Sequence, residues 1–168
     1  MTKVLPKHPR ILAVAPSTNG FGYAVIEGQK VFVDWGVKLV EGDKNSGSMK
    51  KVGEMIDLYN PQVMVLEDTA NKESRRSPRI KALTKLLVVV AEDRSVKVVM
   101  FSQKQVRRVL LGDERGTKEA LAANIAEQFP EELGFRLPPK RRPWMSEDSR
   151  MDIFDAVAPA LAHYSSGM

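Results

Sequence analysis

The chain has 168 residues, a formal net charge of +5 at pH 7 and a pI near 9.5, and 43 % of its residues are hydrophobic. These values predict a single soluble domain over residues 1–168, and the basic balance favours a polyanionic partner. The chain contains no cysteine, which excludes disulfides, cysteine-ligated zinc and thiol catalysis. No apolar run is long enough to span a bilayer, and residues 1–9 lack the apolar core of a signal peptide. We therefore expect a cytoplasmic protein with a short N-terminal extension.

Three strands are predicted at the start of the chain. Residues 11–15 form a continuous apolar run, which is typical of a strand covered on both faces. Residues 16–20 have the composition of a turn, and further strands are predicted over residues 21–26 and 31–40. Residues 41–48 are polar and contain glycine, which predicts a loop.

The rest of the chain alternates helices and strands. A serine followed by proline, Ser77-Pro78, has the pattern of a helix N-cap with proline in the first turn. Residues 130–145 are rich in proline and basic residues and predict a loop. The predicted helices span residues 50–59, 77–92, 103–111, 117–129 and 146–164, and the predicted strands span residues 63–66 and 96–101. This order predicts an α/β domain with a mixed sheet.

Three acidic residues have positions in the predicted fold that suit a metal site. Glu67 directly follows a buried strand, and ligands bind at such strand ends in open α/β sheets. Asp152 and Asp155 are three residues apart on the last helix and therefore share a face. Carboxylate oxygens are the ligands that Mg²⁺ prefers. The alternatives are that Glu67 is a solvated loop residue and that Arg150 pairs with either aspartate.

The segment RILAVAPSTNGFGYAVIE, residues 10–27, resembles the opening of the RuvC-type Holliday junction resolvases. In that family an apolar strand ends in Asp-Pro-Gly or Asp-Pro-Ser, and a glycine-bearing turn leads into a second strand. Residues 105–112 and 117–125 are also similar, with Lys118 in the place of the family's lysine. Glu67, Asp152 and Asp155 match the family's later acidic ligands in order and in context.

This resemblance implies a ribonuclease-H-like fold, in which helices flank a mixed five-stranded sheet. It also implies a homodimeric endonuclease that resolves four-way or branched DNA by paired hydrolysis of phosphodiesters. In the family, two Mg²⁺ or Mn²⁺ ions serve that reaction. Glu67, Asp152 and Asp155 would then be the catalytic metal ligands. The helix that starts near Ser77 would be the main dimer element.

Ala15 stands where the family places its first metal-binding aspartate. Alanine offers no oxygen ligand, so we expect both metals to bind weakly and the rate to fall by several orders of magnitude. Two histories fit: a changed Asp in an otherwise active nuclease, or a natural junction-binding protein that does not cut. The three retained acids favour the first, which predicts that Ala15→Asp restores Mg²⁺-dependent nicking. A third alternative is a nuclease of the same fold that processes RNA.

Basic residues form three groups, two of which adjoin segments with candidate metal ligands. Such groups contact phosphates and make nucleic-acid affinity depend on salt, although solvated helix faces can look the same. A further lysine, at position 118, lies close to a predicted helix start, where phosphates bind readily. The candidate DNA-binding residues are Lys72, Arg75, Arg76, Arg79, Lys81, Lys104, Arg107, Arg108, Lys118, Lys140, Arg141 and Arg142.

The chain also departs from the family after Glu67. Many RuvC proteins carry an aromatic residue there that wedges the junction open, whereas this chain has Thr69-Ala70-Asn71. Trp144 is an alternative base-stacking residue, or it packs the basic loop against the domain.

Overall fold

The computed structural model describes residues 9–28, 31–138 and 150–166. The strands are β1 (Arg10–Pro16), β2 (Gly20–Glu27), β3 (Phe32–Leu39), β4 (Val63–Glu67) and β5 (Lys97–Phe101). The helices are α1 (Lys44–Tyr59), α2 (Pro78–Asp93), α3 (Gln103–Leu111), α4 (Lys118–Gln128), α5 (Pro130–Leu133) and α6 (Met151–Ser165), with a 3₁₀ turn at Gly134–Arg136.

The five strands form one mixed sheet in the order β3-β2-β1-β4-β5. The first three strands pair antiparallel as a meander, whereas β4 and β5 lie parallel to β1. This topology confirms the predicted α/β class and the predicted five-stranded mixed sheet.

Helices cover both faces of the sheet, which explains why β1 is an unbroken apolar run. On one face α1 and α2 pack over Leu12, Val14 and Leu66. On the other face α6 lies across β1 and β2, with α3 and α4 beside it. Ala13, Ala15 and Val65 point to this second face and contribute to its core.

The predicted loop over residues 41–48 is wrong in its second half, because α1 begins at Lys44. Asp43 is the N-cap, and its side chain accepts a hydrogen bond from the backbone N–H of Ser46. This cap supplies a partner for a backbone donor that the first turn leaves unsatisfied. It offsets the low helix propensity of the glycine and serine residues that follow.

The predicted loop over residues 130–145 is partly helical, since it contains α5 and the 3₁₀ turn. Pro130 sits in the first turn of α5, where its missing N–H costs no hydrogen bond. The basic residues Lys140, Arg141 and Arg142, together with Trp144, lie outside the described residues. The last helix is described from Met151 rather than from the predicted residue 146, and the preceding residues 139–149 lie outside the described ranges.

Two serine caps fix where α2 and α3 begin. The side chain of Ser77 accepts from the backbone N–H of Ile80, as the Ser-Pro pattern predicts. Ser102 and Gln105 form a reciprocal capping box at the start of α3. Because α3 follows β5 after one residue, this box holds the first turn of α3 at the carboxyl edge of the sheet.

All three tyrosines have raised pKa values, and we expect alkaline pH to destabilise the fold. Burial raises the pKa of Tyr23 and raises that of Tyr164 to about 12, and a hydrogen bond to Asp34 raises the pKa of Tyr59 to about 12. The unfolded chain releases these protons near the ordinary value of 10. The tyrosine contribution to the free energy of unfolding should therefore be complete below pH 10 and fall as the pH rises toward 12.

Urea unfolding at several pH values, followed with the phenolate ultraviolet absorbance, measures this effect. Replacing Tyr164 with phenylalanine should make the free energy of unfolding fall less steeply with pH above pH 10. An unfolding free energy that stays level above pH 10 would show that the phenols titrate as they do in the unfolded chain.

Within the described ranges, every helix is too short or too polar to cross a bilayer.

Candidate functional site

A small cleft lies at the carboxyl ends of β1 and β4 and brings together Ala15, Glu67 and Asp155. The parallel register pairs Ala13 with Val65, so two residues further on Ala15 and Glu67 are neighbours. The cavity measures about 20 Å³, which is room for about one water. The structure therefore places Ala15 beside two of the three predicted acids.

Close packing at Gly22 brings the third acid, Asp152, to the same region. Gly22 pairs with Ala15 across the β1–β2 ladder. A Cβ atom added at Gly22 would lie 1.9 Å from the carbonyl oxygen of Asp152. The absence of a side chain at Gly22 thus lets the first turn of α6 rest directly on β2. Asp152 itself is buried, with 9 % of its surface exposed.

Glu67 is held by Arg76 through a two-point ion pair. Nε of Arg76 donates to Oε2 of Glu67 at 3.0 Å, and Nη2 donates to Oε1 at 2.9 Å. Gln103 donates from Nε2 to Oε1 at 3.0 Å. Burial raises the pKa of the Glu67 carboxyl, but the hydrogen bonds and charge of Arg76, with help from Gln103 and Lys118, bring the pKa below its ordinary value of 4.5. Glu67 is therefore ionised at neutral pH, and its contribution to stability is lost only as the pH falls through that lowered pKa.

Asp155 is also paired with a cation. Nζ of Lys118 lies 3.0 Å from Oδ2 of Asp155, and only 16 % of the Asp155 side chain is exposed. Lys118 is the first residue of α4, which is capped by Thr117. The lysine predicted from the resemblance thus reaches the acidic cleft.

The donor set of the cleft does not fit the pair of divalent ions that the resemblance implies. Ala15 supplies no oxygen, both oxygens of Glu67 accept from Arg76, and Asp155 is paired with Lys118. Among residues 9–28, 31–138 and 150–166, no three Asp, Glu or His side chains form a group that could hold a metal ion. In this arrangement the carboxylates of Glu67 and Asp155 form ion pairs with Arg76 and Lys118.

A larger cleft of about 680 Å³ adjoins the acidic one and shares Glu67 and Arg76 with it. We call it the basic cleft. Its cationic walls come from the loop between β4 and α2 and from the start of α3: Lys72, Arg75, Arg76, Lys104 and Arg107. Lys104 is paired at 2.9 Å with Glu73, but both side chains are largely exposed, so this pair is weak in water. A polyanion can therefore replace Glu73 as the partner of Lys104.

Other predicted DNA-binding residues have structural partners. Arg79 donates to the carbonyl of Ser17 at 3.0 Å and to Oδ1 of Asn45 at 3.0 Å, which braces the β1–β2 turn against α1. Arg108 pairs with Glu114 beyond the end of α3. Lys81 lies half-buried on α2.

Three features of this site do not follow from the sequence reasoning. Gln103 binds Glu67, and the signal for it is its place two residues after β5, at the same sheet edge. Arg76 is predicted to contact phosphates, although it lies against Glu67. Gly22 is predicted only as part of the second strand, whereas its lack of a side chain positions α6.

The sheet order and the acidic cleft at the carboxyl ends of β1 and β4 define a protein with a ribonuclease-H-like fold. Within that class, several proteins that this chain is similar to are Holliday junction resolvases. The chain is 27 % identical over 166 residues to the crossover junction endodeoxyribonuclease RuvC of Akkermansia muciniphila, covering 94 % of this chain and 91 % of that protein. It is 24 % identical over 164 residues to the protein of the same name from Corynebacterium glutamicum, covering 92 % and 68 %.

Solved structures give the same result for the fold. Thermus thermophilus RuvC in complex with a Holliday junction substrate matches with a TM-score of 0.69 at 20 % identity, over 95 % of each chain. A yeast mitochondrial Holliday junction resolvase matches with a TM-score of 0.60 at 15 % identity, over 98 % of this chain and 82 % of that one. No protein-family model matches the chain. The sequence relatives and structural neighbours together support the resemblance to RuvC-type resolvases.

Proposed function

We propose that this protein is a RuvC-type protein that binds four-way or branched DNA, and that Ala15 disables its hydrolytic site. The observation that carries the proposal is the shared cleft of Ala15, Glu67 and Asp155 at the carboxyl ends of two parallel strands. The resemblance implies metal-binding carboxylates at these three positions, and Ala15 supplies none.

The basic cleft supports the choice of DNA as the ligand. It opens beside Glu67 and is lined by cations from two segments, and the whole chain carries a net charge of +5. Phosphate contacts supply most of the affinity in such surfaces, and the geometry of the branch supplies the selectivity. One structural neighbour, Thermus thermophilus RuvC, was solved in complex with a Holliday junction substrate.

A site with an aspartate at position 15 would use divalent metal, and carboxylates at positions 15, 67, 152 and 155 would hold it. Such ions activate a water molecule and stabilise the leaving oxygen of a phosphodiester. Restoring an aspartate at position 15 would supply an oxygen next to Glu67, and the retained acids Asp152 and Asp155 lie on the adjoining helix. In the present chain Glu67 is paired with Arg76 and Asp155 with Lys118, so side-chain cations occupy the carboxylates that hydrolysis would need.

We further propose that two copies act together, because a four-way junction has two-fold symmetry. Leu86 and Val89 on α2 support this interpretation, with exposed fractions of 37 % and 51 %. They are three residues apart and therefore lie on one face of the helix. A symmetric contact between two α2 helices would cover them.

The test is a comparison of DNA shapes at equal length and composition. A fluorescently labelled four-way junction and a linear duplex made from the same sequences are titrated in buffer with EDTA, and binding is measured by fluorescence anisotropy. We expect the junction to bind at least about tenfold more tightly, since cations from separate segments can contact more than one arm. We also expect no nicked product when Mg²⁺ or Mn²⁺ replaces EDTA.

Equal affinity for the junction and the duplex would contradict the proposal. So would a structured RNA that displaces the junction at lower concentration than unlabelled junction does, since that result would favour the RNA-directed alternative. Sedimentation of the protein with and without the junction reports the number of copies bound.

A further inference from the structure

Arg76 covers the edge of Glu67 to which a cation would bind. Its guanidinium donates in parallel to both carboxylate oxygens, and this bidentate pairing is among the stronger side-chain interactions in proteins. Only 25 % of the Arg76 side chain and 16 % of the Glu67 side chain are exposed. The pair is therefore shielded from the solvent screening that weakens surface ion pairs.

Arg76 also lines the same small cavity as Ala15 and Asp155. A divalent ion placed there would meet the guanidinium of Arg76, and the carboxylate of Asp155 that it would use is paired with the ammonium of Lys118. Like charges a few ångströms apart repel strongly in a partly buried site. The side chain of an aspartate at position 15 would enter this cavity and meet Arg76 as well.

We propose that Arg76 is a built-in counter-cation that closes the acidic cleft to divalent metal ions, so that the protein holds branched DNA without metal. This inference rests on the proposed function for its DNA partner, whereas its metal-binding part concerns the chain alone. Ala15 and Arg76 are then two separate barriers. Replacing Ala15 with aspartate removes one barrier and leaves the other.

The experiment measures Mn²⁺ binding in the absence of DNA, by the loss of the electron paramagnetic resonance signal of the hydrated ion. Four proteins are compared: the unchanged chain, Ala15→Asp, Arg76→Ala and the double variant Ala15→Asp/Arg76→Ala. We expect the double variant to bind Mn²⁺ at least about tenfold more tightly than Ala15→Asp, because removing one nearby positive charge favours a bound cation. We expect the unchanged chain to bind most weakly.

The matched control is Ala15→Asp/Arg115→Ala. Arg115 is exposed, and its replacement changes the net charge by the same amount without touching the cleft. It should bind Mn²⁺ as Ala15→Asp does. If the double variant fails to fold, Ala15→Asp/Arg76→Gln keeps one hydrogen-bond donor for Glu67 without the charge, and the same order of affinities is expected.

Two results would overturn the proposal. One is that Ala15→Asp binds Mn²⁺ as tightly as the double variant, and the other is that the unchanged chain does so. Junction binding in EDTA, measured on the unchanged chain, is read separately: its absence would defeat the proposed function, while the Mn²⁺ titrations would still decide whether Arg76 closes the cleft.

Discussion

Replacing Lys72, Arg75 and Lys104 together with alanine is expected to lower the affinity for a four-way DNA junction by about 100-fold or more at moderate salt. These cations line the basic cleft from two segments of the chain. Each phosphate that a cation neutralises releases condensed counterions from DNA, so each removed cation should make the slope of log affinity against log salt shallower by about 1. The triple variant should therefore show a slope that is smaller by about 3.

Fluorescence anisotropy titrations at several salt concentrations measure both quantities. The control variant replaces Lys50, Lys51 and Lys97, which lie on α1 and at the start of β5, away from the basic cleft. It removes the same charge, so an effect of net charge alone would be equal in the two variants. An equal fall in affinity in both would show that the basic cleft is not the DNA-binding surface.

The exposed ion pair between Lys104 and Glu73 does not weaken this expectation. Both side chains are about half exposed, and such pairs stabilise a fold by about 1 kcal/mol at most. Exchange of Glu73 for a phosphate therefore costs little. In the triple variant Glu73 would instead stand without Lys104 at the edge of the cleft and repel the DNA.

Much of the fold could be predicted because the helix-capping residues and the buried apolar runs indicate the same helices and strands. The unbroken apolar runs of β1 and β4 predict strands covered on both faces, and Ser77-Pro78 predicts the start of α2. The start of α1 could not be predicted in the same way, because glycine and serine there favour a loop. The N-cap at Asp43 nevertheless starts the helix at Lys44. Such a cap depends on the path of the backbone before the helix.

The site was predictable to the extent that strand ends define it. Glu67 directly follows a buried strand, and parallel pairing with β1 brings it beside position 15. The partner of Glu67 was not predictable in the same way. Arg76 is nine residues further along in an irregular segment, and only the path of that loop decides whether its guanidinium turns toward Glu67 or toward DNA.

Gly22→Ala is expected to destabilise the protein by about 3 kcal/mol or more, because the new methyl group would overlap the backbone of α6. The added Cβ would lie 1.9 Å from the carbonyl oxygen of Asp152 and 2.2 Å from its carbonyl carbon. Backbone atoms in a packed helix cannot turn aside as a flexible side chain can. The first turn of α6 would have to lift from β2 and carry Asp152 away from the strand end that holds Ala15.

Gly36→Ala is the matched control, since Gly36 lies on the neighbouring strand β3 and the nearest atom to its added Cβ would be 3.4 Å away, in the ring of Tyr23. Its effect on the free energy of unfolding should stay within about 1 kcal/mol. Urea unfolding of both variants measures the difference. If Gly22→Ala unfolds at the same urea concentration as Gly36→Ala, then α6 yields easily at this point, and close packing at Gly22 does not fix the position of Asp152. A large destabilisation at Gly22 alone would show that the fold depends on the close packing of α6 on β2 at the residue that carries Asp152.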